Sequence, residues 1–347
     1  GVMGDSQEIP PKIGAAGWQG QASPSRDASC STDRGRLLAR LRRGVAVLAL
    51  VLPVACAPDE GTPREDEIAA ADSMAAAPRY SRELVFLGRR EEEPLVAALG
   101  FRARDTGTER ARELRGWVAH GSRWEPFLDE EWTSEAHGSA WTIVPHGPLR
   151  VAAGGPAELE ALWYSRGGRN LRLDVGRALA QLNHGTEERA HLFTATVRMG
   201  GETASGMMME LLQLQRPGRE GAGARDHLLL TSGDSLTLFV ASGAPREGPG
   251  IAWLQTRTGT REWNDVRLSH HRGRPVPEAR REIPQGWEIE IPEAGLRVEL
   301  SSLGFDAEIG RERVGLRAVD ARYTVSGSID IRGRRADVAG TVLHQVD

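Results

Sequence analysis

Residues 80–347 constrain the fold most, because they contain one short run after another with apolar residues at every second position. Trp287–Ile291 (WEIEI) and Leu296–Leu300 (LRVEL) show this most plainly, each with apolar residues on one face and charged residues on the other. Side chains alternate between the two faces of a β-strand, so such runs predict half-buried strands. The intervening Pro292–Gly295 predicts a hairpin turn.

Few segments favour helices. Thr108–Glu113 and Val175–Leu182 could each form about two turns at most, and no alternation of strands and helices is visible. About fifteen strands would make one very wide barrel, whereas two barrels of about eight strands fit ordinary domain sizes. We therefore predict an all-β protein with two antiparallel barrel or sandwich domains in tandem, residues 80–220 and 221–347. The clearest break is Arg216–Ala224.

A weak internal repeat supports this division. Phe193–Gln213 and Tyr323–Gln345 each contain a strand that starts with an aromatic residue, a Gly turn, and a second strand that begins with Gly. Four positions after that Gly stands a polar residue, Glu210 in one copy and His344 in the other. If these two side chains face inward, each would be buried and could act as acid or base. If they face outward, they are ordinary surface groups.

With the Trp-rich strands between them, these hairpins make residues 79–347 resemble the bacterial two-domain lipocalin-like proteins, which include carotenoid 1,2-hydratase-like and Diels–Alderase-like members. The resemblance implies two lipocalin-like domains. His344 stands where the family pattern more often has Glu, and the Trp-Trp signature of many members is missing. The resemblance therefore predicts the fold more firmly than an inherited enzyme activity.

Tryptophan supplies most of the aromatic volume, since the chain has 9 Trp but only 6 Phe and 3 Tyr. Barrels of this kind can use indole rings and flexible Met side chains to line an apolar ligand cavity. The candidate ligand-binding residues are Trp124, Trp141, Trp163, Met208 and Trp253. The alternative for each is that it fills the core or plugs a barrel end.

Gly233–Thr237 (GDSLT) is similar to the nucleophile block of GDSL esterases. The other sequence blocks of these esterases, Gly-x-Asn and Asp-x-x-His, do not follow the motif. Leu236–Val240 also predicts a strand rather than the helix that should follow the nucleophile. We interpret the motif as a hairpin turn.

Histidines suggest a metal site at two places, one formed by His184 and His191 with Glu187 and Glu188, the other by the pair His270 and His271. None has a compact zinc spacing, and adjacent residues on a strand point to opposite faces. We interpret them as surface or loop residues, and predict no metal and no cofactor.

The first 79 residues are predicted to be a targeting signal and a tether rather than a folded domain. Residues 1–33 are rich in Gly, Ser, Pro and Gln and predict a disordered or untranslated leader. Residues 34–55 resemble a bacterial lipoprotein signal peptide, with a basic start and the apolar run Gly44–Val54, which is too short to span a bilayer. Cys56 would then carry lipid, and residues 56–79 would form the acylated, flexible tether. The alternative is an ordinary secretory signal with a chance cysteine.

The sequence leaves three functions open. The net charge of −4 gives no electrostatic support for a nucleic-acid partner. Our first hypothesis is a lipid-anchored lipoprotein of the bacterial cell envelope, periplasm-facing or extracytoplasmic, that binds a small hydrophobic ligand. The second is a cofactor-free hydratase, cyclase or isomerase that acts on a lipid or polyene with Glu210 or His344 as acid–base. The third is a structural or assembly lipoprotein without a pocket.

Overall fold

The computed structural model describes residues 77–90, 93–155, 158–184, 187–216, 224–233, 235–242, 249–313 and 315–346. The predicted leader, signal peptide, Cys56 and nearly all of the tether lie outside these residues. The helices among the described residues are two three-residue 3₁₀ turns, and neither has the length or apolarity of a membrane span.

The first sheet of the described chain has nine antiparallel strands in the spatial order β4-β3-β2-β1-β9-β8-β7-β6-β5. Its strands are β1 Arg79–Arg90, β2 Glu93–Asp105, β3 Glu109–His120, β4 Arg123–Glu135, β5 Leu149–Gly155, β6 Glu158–Arg166, β7 Arg169–His184, β8 Glu188–Met199 and β9 Glu202–Gln215. The sheet wraps around a core to which all of its strands contribute, as a half-barrel whose edges are β4 and β5.

The second sheet closes into a barrel of eight strands in sequence order, with β10 paired to β17. Its strands are β10 Ala224–Ser232, β11 Leu236–Ala241, β12 Gly250–Thr256, β13 Gly259–Val276, β14 Arg281–Ile291, β15 Leu296–Arg313, β16 Leu316–Ile331 and β17 Arg334–Val346. The 3₁₀ turns are Pro277–Ala279 and Pro292–Ala294. The chain passes from one sheet to the other between Gln215 and Ala224.

The predicted all-β fold of two lipocalin-like domains is confirmed, although only the second domain is a closed barrel. The hairpin at Pro292–Gly295 is also confirmed, with Gly295 in the left-handed conformation at φ 59°. The two helix candidates are wrong, because Glu109–Glu113 lies in β3 and Val175–Leu182 lies in β7. In β7 the pairing with β8 shifts between Val175 and Ala178 and again before Ala180, so the apolar spacing departs from period two.

Apolar residues on the outer faces of the two sheets join in a third core. From the half-barrel come residues such as Val85, Val96 and Met209, and from the closed barrel come Leu229, Phe239 and Trp253. All of the described residues belong to one compact unit. The two domains therefore share a buried apolar interface and are not joined by a linker alone.

Candidate functional site

The repeat hairpins place Glu210 and His344 at equivalent inward positions. Glu210 on β9 pairs with His191 on β8, and His344 on β17 pairs with Ala321 on β16. Both residues lie almost entirely out of solvent, with 4% and 3% of their surface exposed. The inward alternative of the sequence analysis is therefore the one that the fold adopts.

Glycine is required for steric reasons at the start of the second strand of each repeat. A Cβ atom at Gly206 would lie 2.1 Å from the carbonyl oxygen of Leu87, and one at Gly340 would lie 2.1 Å from that of Leu229. Each glycine thus allows its strand to approach the first strand of the same domain. Residues four apart share a face of a strand, so the polar residue that follows is fixed inward.

In the half-barrel, Arg82, His191 and Glu210 form a buried polar group, here named the Glu210 cluster. Arg82 donates from Nε to Oε1 of Glu210 at 2.7 Å, and Nδ1 of His191 lies 2.9 Å from Oε2. A carboxylate can only accept hydrogen bonds, so Nδ1 of His191 carries the hydrogen. The other ring nitrogen, Nε2, is buried and has no hydrogen-bond partner among the described residues.

Glu210 is held ionised by its two partners. Burial alone would raise its pKa, but the hydrogen bond from His191 and the charge and hydrogen bond of Arg82 outweigh burial and lower the pKa of Glu210. The carboxylate therefore orients His191 rather than donating a proton itself.

Residues 136–148 connect β4 to β5 across one end of the half-barrel, and buried arginines hold this β4–β5 connection by its backbone. Arg82 donates from Nη1 to the carbonyl oxygen of Trp141 at 2.9 Å, and Arg112 donates likewise to that of Thr142 at 2.9 Å. The indole of Trp141 packs edge-on against Tyr80 with ring centroids 5.2 Å apart. Side chain to backbone hydrogen bonds, rather than strand pairing, thus fasten the connection.

A cavity of about 10 Å³ lies beneath this connection, large enough for about one water molecule. Its lining includes Tyr80, Arg82, Arg112, Trp132, Trp141 and Ile143. Aromatic rings and arginine side chains therefore meet at the same small space, next to the Glu210 cluster.

In the closed barrel, Asp226, His270 and His344 form the Asp226 cluster. Nδ1 of His344 lies 3.0 Å from Oδ1 of Asp226, and Nε2 of His270 lies 2.9 Å from Oδ2. Trp287 donates from Nε1 to Oδ1 at 3.0 Å. Burial would raise the pKa of Asp226, but the hydrogen bonds from His270 and His344 outweigh it and lower the pKa well below its usual value.

Tyr323 lies beside this cluster, with its ring packed edge-on against Trp287 at a centroid distance of 4.8 Å. Its hydroxyl is buried and has no hydrogen-bond partner among the described residues. Burial, followed by the negative charge of Asp226, raises the pKa of the Tyr323 phenol. A buried, neutral and unpartnered hydroxyl therefore belongs to the same end of the barrel interior.

The predicted ligand-binding residues do not all share a cavity. Trp141 lines the cavity, and Met208 is buried in the half-barrel core with 1% of its surface exposed. Trp124 and Trp253 pack in the interface between the sheets. Trp163 alternates with the inward Leu162 and Tyr164, so it lies on the outer face, where Arg172 stacks on its ring at 5.1 Å.

The interpretation of the histidines as surface or loop residues is wrong for His184, which is 7% exposed and lies at the end of β7. His191 is part of the Glu210 cluster and His270 part of the Asp226 cluster. The expectation that His270 and His271 point to opposite faces is confirmed, because His270 reaches Asp226 while His271 covers Gly286 outside the barrel.

The GDSLT motif forms the predicted turn. Ser232 pairs with Leu236 across the β10–β11 hairpin, and the Ser235 hydroxyl donates to the carbonyl oxygen of Ser232 at 2.6 Å. Leu236–Ala241 is a strand. Asp234 lies outside the described residues.

Arg82, Asp226 and Trp287 are members or neighbours of the two clusters that were not predicted as site residues from the sequence. A signal for Asp226 was present, because it stands in period two with Leu228 and Leu230, which face the barrel core. A charged residue in register with inward apolar positions predicts a buried charge. Its partners His270 and His344 are 44 and 118 residues away, so no local spacing could reveal the group.

The sequence matches no family model and no curated protein. Among solved structures, kievitone hydratase from Nectria haematococca superposes with a TM-score of 0.50 and 11% identity, over 79% of this chain and 90% of that chain. An AttH-like protein from Nitrosomonas europaea has a TM-score of 0.47 and 9% identity, over 84% and 98% of the two chains. CghA bound to Sch210972 has a TM-score of 0.48 and 9% identity, over 78% and 88%.

At 11% identity the first similarity establishes the fold alone. The protein therefore has the fold of two lipocalin-like domains in tandem that the repeat hairpins predict.

Proposed function

We propose that the half-barrel binds a small, largely apolar molecule beneath the β4–β5 connection. The observation that carries this proposal is the cavity between Trp132, Trp141 and Arg82, which lies where the apolar core meets the Glu210 cluster. Ligand sites of this kind combine apolar and aromatic walls with a few oriented polar groups.

The ligand needs more room than about one water molecule, so Trp141 or the whole connection moves when it enters. The connection can leave without breaking the sheet, because β4 and β5 are the two edges of the half-barrel. When the connection moves, it loses the hydrogen bonds that Arg82 and Arg112 donate to its backbone carbonyl oxygens. A ligand with a carbonyl or carboxylate oxygen on an apolar body would accept those same hydrogen bonds.

The first test is to purify the protein from its native host and identify co-purifying small molecules by mass spectrometry. We expect one class of apolar molecule with an oxygen acceptor. Reproducible absence of any such molecule would count against ligand binding.

A second test compares Trp141→Ala with Trp163→Ala, using the fluorescent apolar anion 8-anilinonaphthalene-1-sulfonate. Removal of the Trp141 indole enlarges the cavity, so we expect saturable probe binding to this variant to exceed that to wild type. Trp163 lies on the outer face, and its variant serves as the matched control. Equal probe binding by the two variants would contradict a site beneath the connection.

A second candidate function, proton-transfer catalysis on the bound molecule, is favoured by the geometry of His191. Nδ1 of His191 donates its hydrogen to Glu210, and Nε2 has no hydrogen-bond partner in the part of the chain that the structure describes. This is the arrangement in which a carboxylate sets the tautomer of a histidine general base. His191 would transfer the proton, and Glu210 would act as the positioning residue.

The test uses the molecule identified by mass spectrometry as substrate and the variants His191→Gln and Glu210→Gln. We expect both variants to retain binding and to lose turnover, with a shifted pH profile in Glu210→Gln. Undiminished turnover in His191→Gln would contradict the catalytic role of His191 and leave only the proposed ligand binding.

We further propose that Cys56 carries a lipid that anchors the protein in the bacterial cell envelope. The proposal is supported by the apolar run that ends just before Cys56. Cys56→Ala should release the protein from the membrane fraction, whereas Cys30→Ala, upstream of the predicted cleavage site, should not. Unchanged membrane association of Cys56→Ala would contradict the anchor.

A further inference from the structure

The Asp226 cluster brings two imidazoles and one carboxylate to one point. One ligand atom from each of Asp226, His270 and His344 lies within 4.8 Å of the other two. Three strands supply them, β10, β13 and β17, so a rigid barrel wall fixes their positions. Two histidines and a carboxylate are a common ligand set for zinc and for non-haem iron.

Small side-chain shifts would bring the three groups to a common metal ion, since their ligand atoms lie within 4.8 Å of one another. Two ligand atoms at about 2.1 Å from one ion lie about 3.0 Å apart at right angles and about 3.4 Å apart in a tetrahedral site. The nitrogen–oxygen distances to Asp226 are 3.0 Å from His344 and 2.9 Å from His270. Each imidazole would bind the ion through a ring nitrogen without a hydrogen, so the hydrogen that now faces Asp226 would move to the other ring nitrogen or be released.

The surroundings have the features of a built site. Trp287, fully buried, donates to Oδ1 of Asp226 and fixes the carboxylate, as outer-shell hydrogen bonds do in metal centres. The Tyr323 hydroxyl, also fully buried, has no partner among the described residues and could bond to a water on the ion. The side chain of His270 is 34% exposed, which gives access from solvent.

We propose that Asp226, His270 and His344 bind one divalent transition-metal ion of the Zn²⁺ class, with its remaining positions open to water. The site lies in the closed barrel and is independent of the ligand site proposed in the half-barrel. It is absent from the sequence interpretation because its three residues are scattered from position 226 to position 344.

The test titrates Co²⁺ into metal-depleted, untagged full-length protein that carries Cys30→Ala and Cys56→Ala and therefore has neither thiols nor a lipid, and follows the visible absorption of the bound ion. Co²⁺ reports nitrogen and oxygen ligation directly, and Zn²⁺ should displace it. We expect one equivalent per chain. His270→Gln should weaken binding at least about tenfold, as loss of a ligand exceeds loss of an outer-shell partner.

His271→Gln is the matched control, because His271 is the neighbouring histidine on the outer face of the same strand. It should bind Co²⁺ as wild type does. Asp226→Asn, nearly isosteric, provides a second ligand variant if His270→Gln does not fold, and circular dichroism reports folding of each. Failure of the wild type to bind one equivalent, or the same affinity in His271→Gln and the folded ligand variants, would overturn the proposal.

Discussion

At the scale of single residues, the most informative groups are buried charges with distant partners. Glu188 on β8 is 6% exposed, and its Oε1 lies 2.7 Å from Nε2 of His227 on β10. Its other oxygen accepts a hydrogen bond from Gln213 at 3.2 Å. Burial would raise the pKa of Glu188, but the charge and hydrogen bond of His227, with the nearby His184, lower the pKa strongly. Glu188 thus ties the two sheets together through its ionised form.

The first prediction concerns acid stability. A carboxyl group whose pKa is lowered by folding stabilises the native state above its unfolded pKa of about 4.3, and this contribution is lost as the pH falls towards the folded pKa. We expect the free energy of unfolding of wild type to fall below pH 5 more steeply than that of Glu188→Gln. The difference in slope is at most about 1.4 kcal/mol per pH unit.

Urea unfolding at several pH values between 3 and 6 measures this difference. Glu262→Gln is the control, because Glu262 is exposed on β13. At neutral pH Glu188→Gln should cost about 3 kcal/mol, since a buried pair is broken. Parallel pH profiles for wild type and Glu188→Gln would show that folding does not lower the pKa of Glu188.

The second prediction concerns the pair Arg82 and Glu210. Glu210→Leu leaves a guanidinium buried without its carboxylate and should destabilise the protein by about 3–5 kcal/mol. Arg82→Met should cost a similar amount. The double variant should cost less than either single change, because no charge is then left uncompensated in the core. Urea unfolding of the four proteins in the cycle tests this, and simple additivity of the two single effects would contradict it.

Glu210 and His344 were predicted from the sequence as candidate site residues, but their hydrogen-bond partners were not. The repeat and the strand period place these two residues, since both depend on local spacing. Arg82 lies 128 residues before Glu210, and Asp226 lies 118 residues before His344. Those contacts depend on which strands become neighbours in the sheet. Local spacing in the sequence carries no information on that pairing.

At the scale of elements, the repeat hairpins depend on two glycines that let strands approach. The third prediction is that Gly206→Ala and Gly340→Ala each destabilise the protein by about 1–3 kcal/mol, because the added Cβ would strike a backbone carbonyl that cannot move alone. Thermal unfolding measures both. Gly155→Ala is the matched control, since its Cβ would meet only the mobile end of Glu158, at 3.2 Å.

A fall in stability for Gly155→Ala as large as for the repeat glycines would contradict the steric explanation, because Gly→Ala at a position with room for the Cβ atom normally stabilises a protein slightly. Destabilisation of only one repeat position would mean that the two hairpins are not equivalent. The repeat in the sequence would then have no common structural basis.

At the scale of the whole molecule, the interface between the sheets was the largest feature that the sequence analysis did not predict. The signal was present, because Leu228, Leu229 and Leu230 are consecutive and all fully buried. A strand that is apolar on both faces predicts burial on both sides. Leu228 and Leu230 face the barrel core while Leu229 faces the other sheet. The alternating strands at Trp287 and Leu296, by contrast, have one face in solvent and were predicted correctly.

Polar contacts complement that interface. Glu308 on β15 accepts hydrogen bonds from Arg115 at 2.6 Å and from Arg322 at 2.8 Å, and the guanidinium of Arg322 lies 3.3 Å above the ring of Trp117. Apolar and charged contacts therefore both cross between the sheets. We expect the two domains to unfold in one transition, as tightly packed domains do.

The fourth prediction separates the two roles open to Trp253, which the sequence analysis selected as a ligand contact. Trp253 is 1% exposed and packs with Phe239 and Leu343 against the half-barrel. Trp253→Ala should therefore cost about 3–5 kcal/mol through the cavity left in the interface. It should also divide unfolding into two steps, because the domains lose contact while each inner core stays intact. Ligand loading at temperatures where the variant is folded should not change.

Urea unfolding, followed by far-ultraviolet circular dichroism and tryptophan fluorescence, distinguishes one step from two. Trp163→Ala is the control, since that indole lies on an outer surface beneath Arg172 and should cost about 1 kcal/mol or less. If Trp253→Ala lost ligand while keeping the stability and single transition of wild type, Trp253 would belong to a ligand site. Other contacts in the interface would then have to hold the two domains together.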